Sequence, residues 1–153
     1  MRPGKPLEVR TIAASRFIPI TIKFMSKTVI ATDKAPAAIG PYSQGMRTGN
    51  LIFTAGQIPL DPATQEVVAG GITEQTTRVL ENLKAVLEAG GSSLDRVVKA
   101  TVFLTSLDNF AAMNEVYGKY IGSLNAPPPV RTTIEISRLP RNVLIEIEFV
   151  AEV

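Results

Sequence analysis

Residues 129–149, PVRTTIEISRLPRNVLIEIEF, constrain the fold more than any other stretch of the chain. Two segments of period-two alternation flank a short basic, proline-containing connection, and such a pattern predicts two strands lying close in one sheet. In the first segment Val130, Thr132, Ile134 and Ile136 share one parity, and Arg131, Thr133, Glu135 and Ser137 share the other. In the second, Ile145, Ile147 and Phe149 form the apolar set while Glu146 and Glu148 project the opposite way. The expected arrangement is an apolar core side for both strands and an open side that carries Arg131 with the carboxylates.

An arginine facing a cleft offers a planar fork of donors that matches a carboxylate bidentately and stays charged at any working pH. A glutamate beside it that is not consumed in an ion pair can exchange a proton through one water. Together they point to binding of a small anion and acid–base chemistry. The competing reading is ordinary: Arg and Glu on an open sheet face are commonly solvated or paired with each other.

Composition narrows the chemistry further. The chain has 153 residues with neither cysteine nor histidine, which excludes disulfides, thiolate catalysis, cysteine-ligated zinc and the Ser-His-Asp arrangement. Carboxylates, Arg, Lys, Tyr, hydroxyls and the backbone remain. The formal charge of +2 is unevenly spread. Residues 1–24 hold Arg2, Lys5, Arg10, Arg16 and Lys23 against Glu8 alone, so the body is mildly acidic. No basic run or aromatic-interleaved patch interrupts that body, so the electrostatic footprint of nucleic-acid binding is missing. The basic, acid-poor leader reads as a mitochondrial presequence and gives a matrix address; the alternatives are a disordered extension or a start at Met25, which would leave a cytoplasmic protein. Residues 25–153 are expected to form one domain.

Along the body, strands are expected at 27–32, 43–48, 51–55 and 96–105, with Gly49-Asn50 closing a hairpin between the second and third. Thr76, Val79, Leu80, Leu83, Val86 and Leu87 mark one face of a helix over 73–89, capped by Thr73 and ended by Gly90-Gly91. A second helix, capped by Asp108, repeats Phe110, Met113, Val116, Tyr117 and Tyr120 at helical spacing, and these aromatics read as core. The order β-β-β-α-β-α-β-β predicts an α+β fold with two helices on one face of a mixed sheet. The other face then needs covering by further subunits.

Five ordered stretches resemble the Rid/YjgF family of enamine/imine deaminases: APAAIGPYSQG at 35–45, FTAGQIP at 53–59, VVKATVF at 97–103, FAAMNEVY at 110–117, and PVR, RLP and IEIE between 129 and 148. The resemblance implies a chorismate-mutase-like fold, a homotrimer with ligand clefts between subunits, and hydrolysis of 2-imino acids such as 2-iminobutanoate and 2-iminopropanoate to 2-keto acids and ammonia. It implies protection of pyridoxal-phosphate enzymes, a small 2-imino or 2-keto acid ligand, no cofactor and no metal; the charge distribution argues against a nucleic-acid partner, and the short apolar runs against a membrane span. On the same basis Arg131 would bind the substrate carboxylate and Glu146 activate water, with Tyr42, Asn114 and Gly56 in the cleft. Ala55 stands where many members carry serine, and Thr133 where some carry cysteine. A non-catalytic trimeric sensor of keto acids in mitochondrial maintenance or branched-chain amino acid metabolism would use the same arginine. An endoribonuclease or translation inhibitor, a reading attached to relatives, fits the acidic, histidine-free body less well.

Overall fold

The computed structural model describes residues 26–122 and 125–153. The leader assigned above to 1–24 and the alternative start at Met25 lie outside them. Six strands form one mixed sheet: β1 (Lys27–Ile30), β2 (Gly45–Thr48), β3 (Leu51–Thr54), β4 (Val97–Leu104), β5 (Val130–Glu135) and β6 (Ile145–Glu152), in the order β1-β2-β3-β6-β4-β5. All neighbours are antiparallel except β4 and β5, and Gly49-Asn50 closes the two-residue β2–β3 hairpin. The α+β architecture and the element order agree with the sequence. β5 and β6, however, are not neighbours, because β4 lies between them.

Helices α1 (Ile72–Ala89) and α2 (Phe110–Tyr117) cover one face of the sheet. Val79, Leu80, Leu83 and Val86 of α1 and Met113 of α2 are fully buried, and they pack in one cluster with Ile52, Ala100, Val102, Leu104, Ile145, Ile147 and Phe149. The apolar stripe read from 3.6-residue spacing is thus the stripe that meets the sheet. Helix ends differ from expectation. Gly71 rather than Thr73 is the N-cap of α1, and its N–H donates to the Glu74 carboxylate at 2.8 Å. At the other end Gly91 takes a positive φ of 83°, and the N–H groups of Gly91 and Ser92 return to Glu88 and Leu87, which closes the last turn. Asp108 sits in a 3₁₀ turn before α2, where Ser106 Oγ accepts its N–H. After Tyr117 the helix widens into a π turn, Gly118–Gly122, held to α1 by Tyr120 Oη donating to Glu81 at 2.5 Å.

The opposite sheet face is open. Register aligns Val29, Met46, Phe53, Val150, Lys99 and Val130 across it in one row, and Phe53 is 44% and Val130 70% exposed. Among the described residues no helix is long and apolar enough to cross a membrane.

Candidate functional site

Register places the candidate residues, and it corrects the first reading. Arg131 and Thr133 of β5 align with Ala100 and Val102 of β4, which align in turn with Phe149 and Ile147 of β6. Partners in register project to the same face, so Arg131 and Thr133 point to the helix side and Val130, Thr132 and Ile134 to the open side. This reverses the expected faces of β5. Glu146 and Glu148 do lie on the open face, aligned with Phe103 and Thr101. Arg131 and Glu146 of one chain are therefore separated by the sheet itself and by two strand spacings, about 10 Å.

Around Arg131 the wall is aromatic. Its Cζ lies 4.7 Å from the centroid of the Tyr117 ring and 5.7 Å from that of Phe110. Neither ion pair among the described residues involves it, so its donors are not spent on a carboxylate of its own chain. Phe110, Asn114 and Tyr117 are spaced three and four apart on α2 and so share a helix face. Phe110, expected in the core, is instead 39% exposed against the guanidinium. Two buried hydroxyls, Tyr117 Oη and Thr133 Oγ1, have no hydrogen-bond partner.

Glu146 stands in a different group. β3 leaves the ladder after Phe53, where Thr54 Oγ1 accepts the Phe149 N–H at 2.9 Å, and pairing resumes at Gln57 with Ile147. The detour lays Gly56 over the Glu146 side chain so closely that a Cβ there would sit 2.8 Å from Glu146 Cδ. A side chain at position 56 would therefore have to turn the Glu146 carboxylate aside. Burial pushes the Glu146 carboxyl above the ordinary carboxylate range, and the Glu148 charge pushes it the same way. Tyr42 and Gly56 line one small enclosed pocket, and Tyr42 with Ala55 lines an adjoining groove of about 410 Å³. Tyr42 Oη accepts the Ile39 N–H at 3.2 Å.

One chain thus carries two separate groups of candidate residues: Arg131, Thr133 and Asn114 on the side of the two rings, and Gly56 against Glu146 with Tyr42 and Ala55 along the adjoining groove. The first group can hold a carboxylate, and the second can exchange a proton. Three buried amides that position these groups escape sequence reasoning. Gln44 spans the turn before Tyr42, accepting from Thr32 N and donating to Thr32, Ala35 and Pro36 carbonyls. Asn82 donates to the Leu60 carbonyl at 2.9 Å, and Gln75 accepts the Leu144 N–H at 2.8 Å just ahead of Glu146. A buried polar residue on an apolar helix face is the only signal that marks Gln75 and Asn82 in advance.

Comparison with known proteins shows the family and the fold. The family described as Endoribonuclease L-PSP matches residues 32–153. A RutC family protein of Pyrococcus abyssi is 58% identical over 127 residues, covering 83% of this chain and 98% of that one. The 2-iminobutanoate/2-iminopropanoate deaminase of Escherichia coli K12 is 49% identical with the same coverage. Among solved structures, E. coli TdcF with bound serine superposes with a TM-score of 0.79 at 43% identity, covering 82% of this chain and 98% of that one.

These relatives overturn the mitochondrial address expected from the basic leader. They come from an archaeon and a bacterium, which have no mitochondria, and the family match begins only at residue 32. Positive charge with few acids describes many segments besides organellar presequences. From residue 32 to the last residue the chain is a member of the Rid/YjgF family.

Proposed function

We propose that this protein is an imine deaminase that hydrolyses 2-imino acids, with 2-iminobutanoate and 2-iminopropanoate as substrates, to 2-keto acids and ammonia. The observation that carries the reading is one chain that presents an uncommitted, ring-backed arginine on one side of its sheet and a half-buried glutamate of raised pKa on the other. The half-sites of one chain face opposite sides of its sheet, so the site is assembled between copies, the Arg131 group of one meeting the Glu146 group of the next. A homotrimer closes such head-to-tail contacts into a ring and covers the open apolar face.

In the resulting cleft the substrate carboxylate lies on Arg131, a contact worth roughly 1.5–3 kcal/mol when shielded from water. Asn114 and the backbone at Thr133 and Gly56 fix the remainder of the ligand, and Tyr42 closes the cleft. Alanine at position 55 leaves that contact without a side-chain hydroxyl. A water attacks the imine carbon while Glu146 takes its proton, which gives a carbinolamine. Glu146 returns that proton to the carbinolamine nitrogen; as the C–N bond breaks, the hydroxyl gives its own proton to Glu146 and becomes the keto carbonyl, and ammonia leaves and carries that proton away as ammonium. A carboxyl whose pKa is raised by burial suits both steps, because it holds the proton more firmly than an ordinary carboxylate and still returns it. Serine in the TdcF relative, a small molecule bearing a carboxylate beside a carbon–nitrogen bond, supports the ligand class.

The test is competition. A dehydratase generates 2-iminobutanoate, semicarbazide traps what is not hydrolysed, and this protein is added as wild type, Arg131→Ala or Glu146→Gln. Wild type is expected to suppress trapping, and both variants to lose at least roughly 10²-fold in rate. The Glu146→Gln protein should still bind 2-ketobutanoate in calorimetry. An unchanged trapping rate with assembled wild-type protein rules the reading out.

A further inference from the structure

We propose that Tyr117 is the positioning residue of Arg131, its ring forming the floor that holds the guanidinium in the plane needed to grip a carboxylate. The inference deepens the deaminase reading and rests on it for the identity of the ligand.

A bidentate grip requires the fork to lie in a defined plane, yet an arginine side chain has many rotamers to lose. In many binding sites a neighbouring carboxylate fixes that plane. Here neither ion pair among the described residues reaches Arg131, and its contacts are with rings. The two rings are not equivalent. Phe110 is 39% exposed and its centroid is 5.7 Å away, whereas Tyr117 is 6% exposed and its centroid is 4.7 Å away. A cation over an aromatic face is held more strongly where water is excluded, so the nearer, buried ring is the stronger contact. Tyr117 is itself immobilised, because Met113 and Val116 of the same helix are in the core. Its hydroxyl is buried and unpartnered, and so contributes nothing that holds the helix in place. What the residue supplies to Arg131 is therefore its ring face, and phenylalanine would supply the same.

The test uses the full chain in its assembled state, with Tyr117→Phe, Tyr117→Leu and Phe110→Leu. Steady-state rates on dehydratase-generated 2-iminobutanoate give KM and kcat, and calorimetry gives the Kd of 2-ketobutanoate. Proton NMR reads the ring-current shift of the Arg131 δ protons. Tyr117→Phe is expected to keep KM and Kd within about twofold and to retain the shift, while Tyr117→Leu raises both constants roughly tenfold with kcat little changed and loses the shift. A folded Tyr117→Leu protein with unchanged KM, or a Tyr117→Phe protein that weakens as much as the leucine variant, overturns the proposal. Should Tyr117→Leu not fold, Phe110→Leu decides. The shift retained there leaves Tyr117 as the floor, and the shift lost makes Phe110 the floor and the proposal wrong. Because the NMR reading needs no substrate, absence of turnover in wild type sinks the deaminase reading without touching this one.

Discussion

Glu146 is under two pressures of the same sign, burial first and the Glu148 charge second, and both favour the protonated form. For an acid whose folded pKa is raised, ionisation costs stability above that pKa, and the cost disappears as pH falls through it. Glu146→Gln should therefore stabilise the protein at neutral pH and lose that advantage toward acid, which denaturant titrations at several pH values will check. If ionised Glu146 is the base, the acidic limb of the rate profile lies above the ordinary carboxylate range. Glu148→Gln, by removing the second pressure, should move that limb to lower pH. Gly56 makes the complementary prediction. A methyl group there meets Glu146 Cδ at 2.8 Å, so Gly56→Ala turns the flexible end of the Glu146 side chain aside, and turnover is expected to fall at least roughly tenfold with the melting temperature almost unchanged. Both residues were legible in the motifs FTAGQIP and IEIE. Their contact was not, because it depends on the detour that Thr54 creates between β3 and Gln57.

The elements were legible where their own periodicity decided them. Spacing alone gave α1, since its buried positions follow 3.6 residues per turn, and it gave β6, whose inward set Ile145, Ile147 and Phe149 is buried as read. Caps were less legible, because Thr73, Gly71, Asp108 and Ser106 are all acceptable near a helix start and only the approach of the chain chooses among them. Long-range clamps were not legible at all. Gln75 is 69 residues from the backbone it holds, and nothing local announces the pairing. Gln44 is the strongest such clamp, with four hydrogen bonds across the Thr32–Pro36 turn. Gln44→Ala strands those backbone groups and should cost roughly 2–4 kcal/mol in chemical denaturation, while 2-ketobutanoate affinity falls as the Tyr42 loop loosens.

At the scale of the whole molecule, the separation of the two half-sites predicts complementation. Arg131→Ala and Glu146→Gln chains are each expected to be inactive, but a cleft that takes its arginine from one variant and its glutamate from the other is intact. Refolding the two in equal amounts should restore about a quarter of wild-type activity if copies mix at random. Mixtures as inactive as their parents would place both residues in one chain's cleft, against the faces of β5 and β6.

β5 carries one more implication. It is an edge strand, hydrogen-bonded only to β4, and its apolar parity, Val130, Thr132 and Ile134, points away from the core, leaving Val130 70% and Ile134 41% exposed. A slip of one residue would turn those side chains inward and Arg131 outward, which is the arrangement its alternation favours in isolation. The alternation of β5 taken alone thus favours the register that the sheet does not adopt. In the trimer proposed above, a neighbouring copy seated on Val130 and Ile134 would favour the register that keeps Arg131 on the helix side, and quaternary contact would then serve as the last step of this chain's folding.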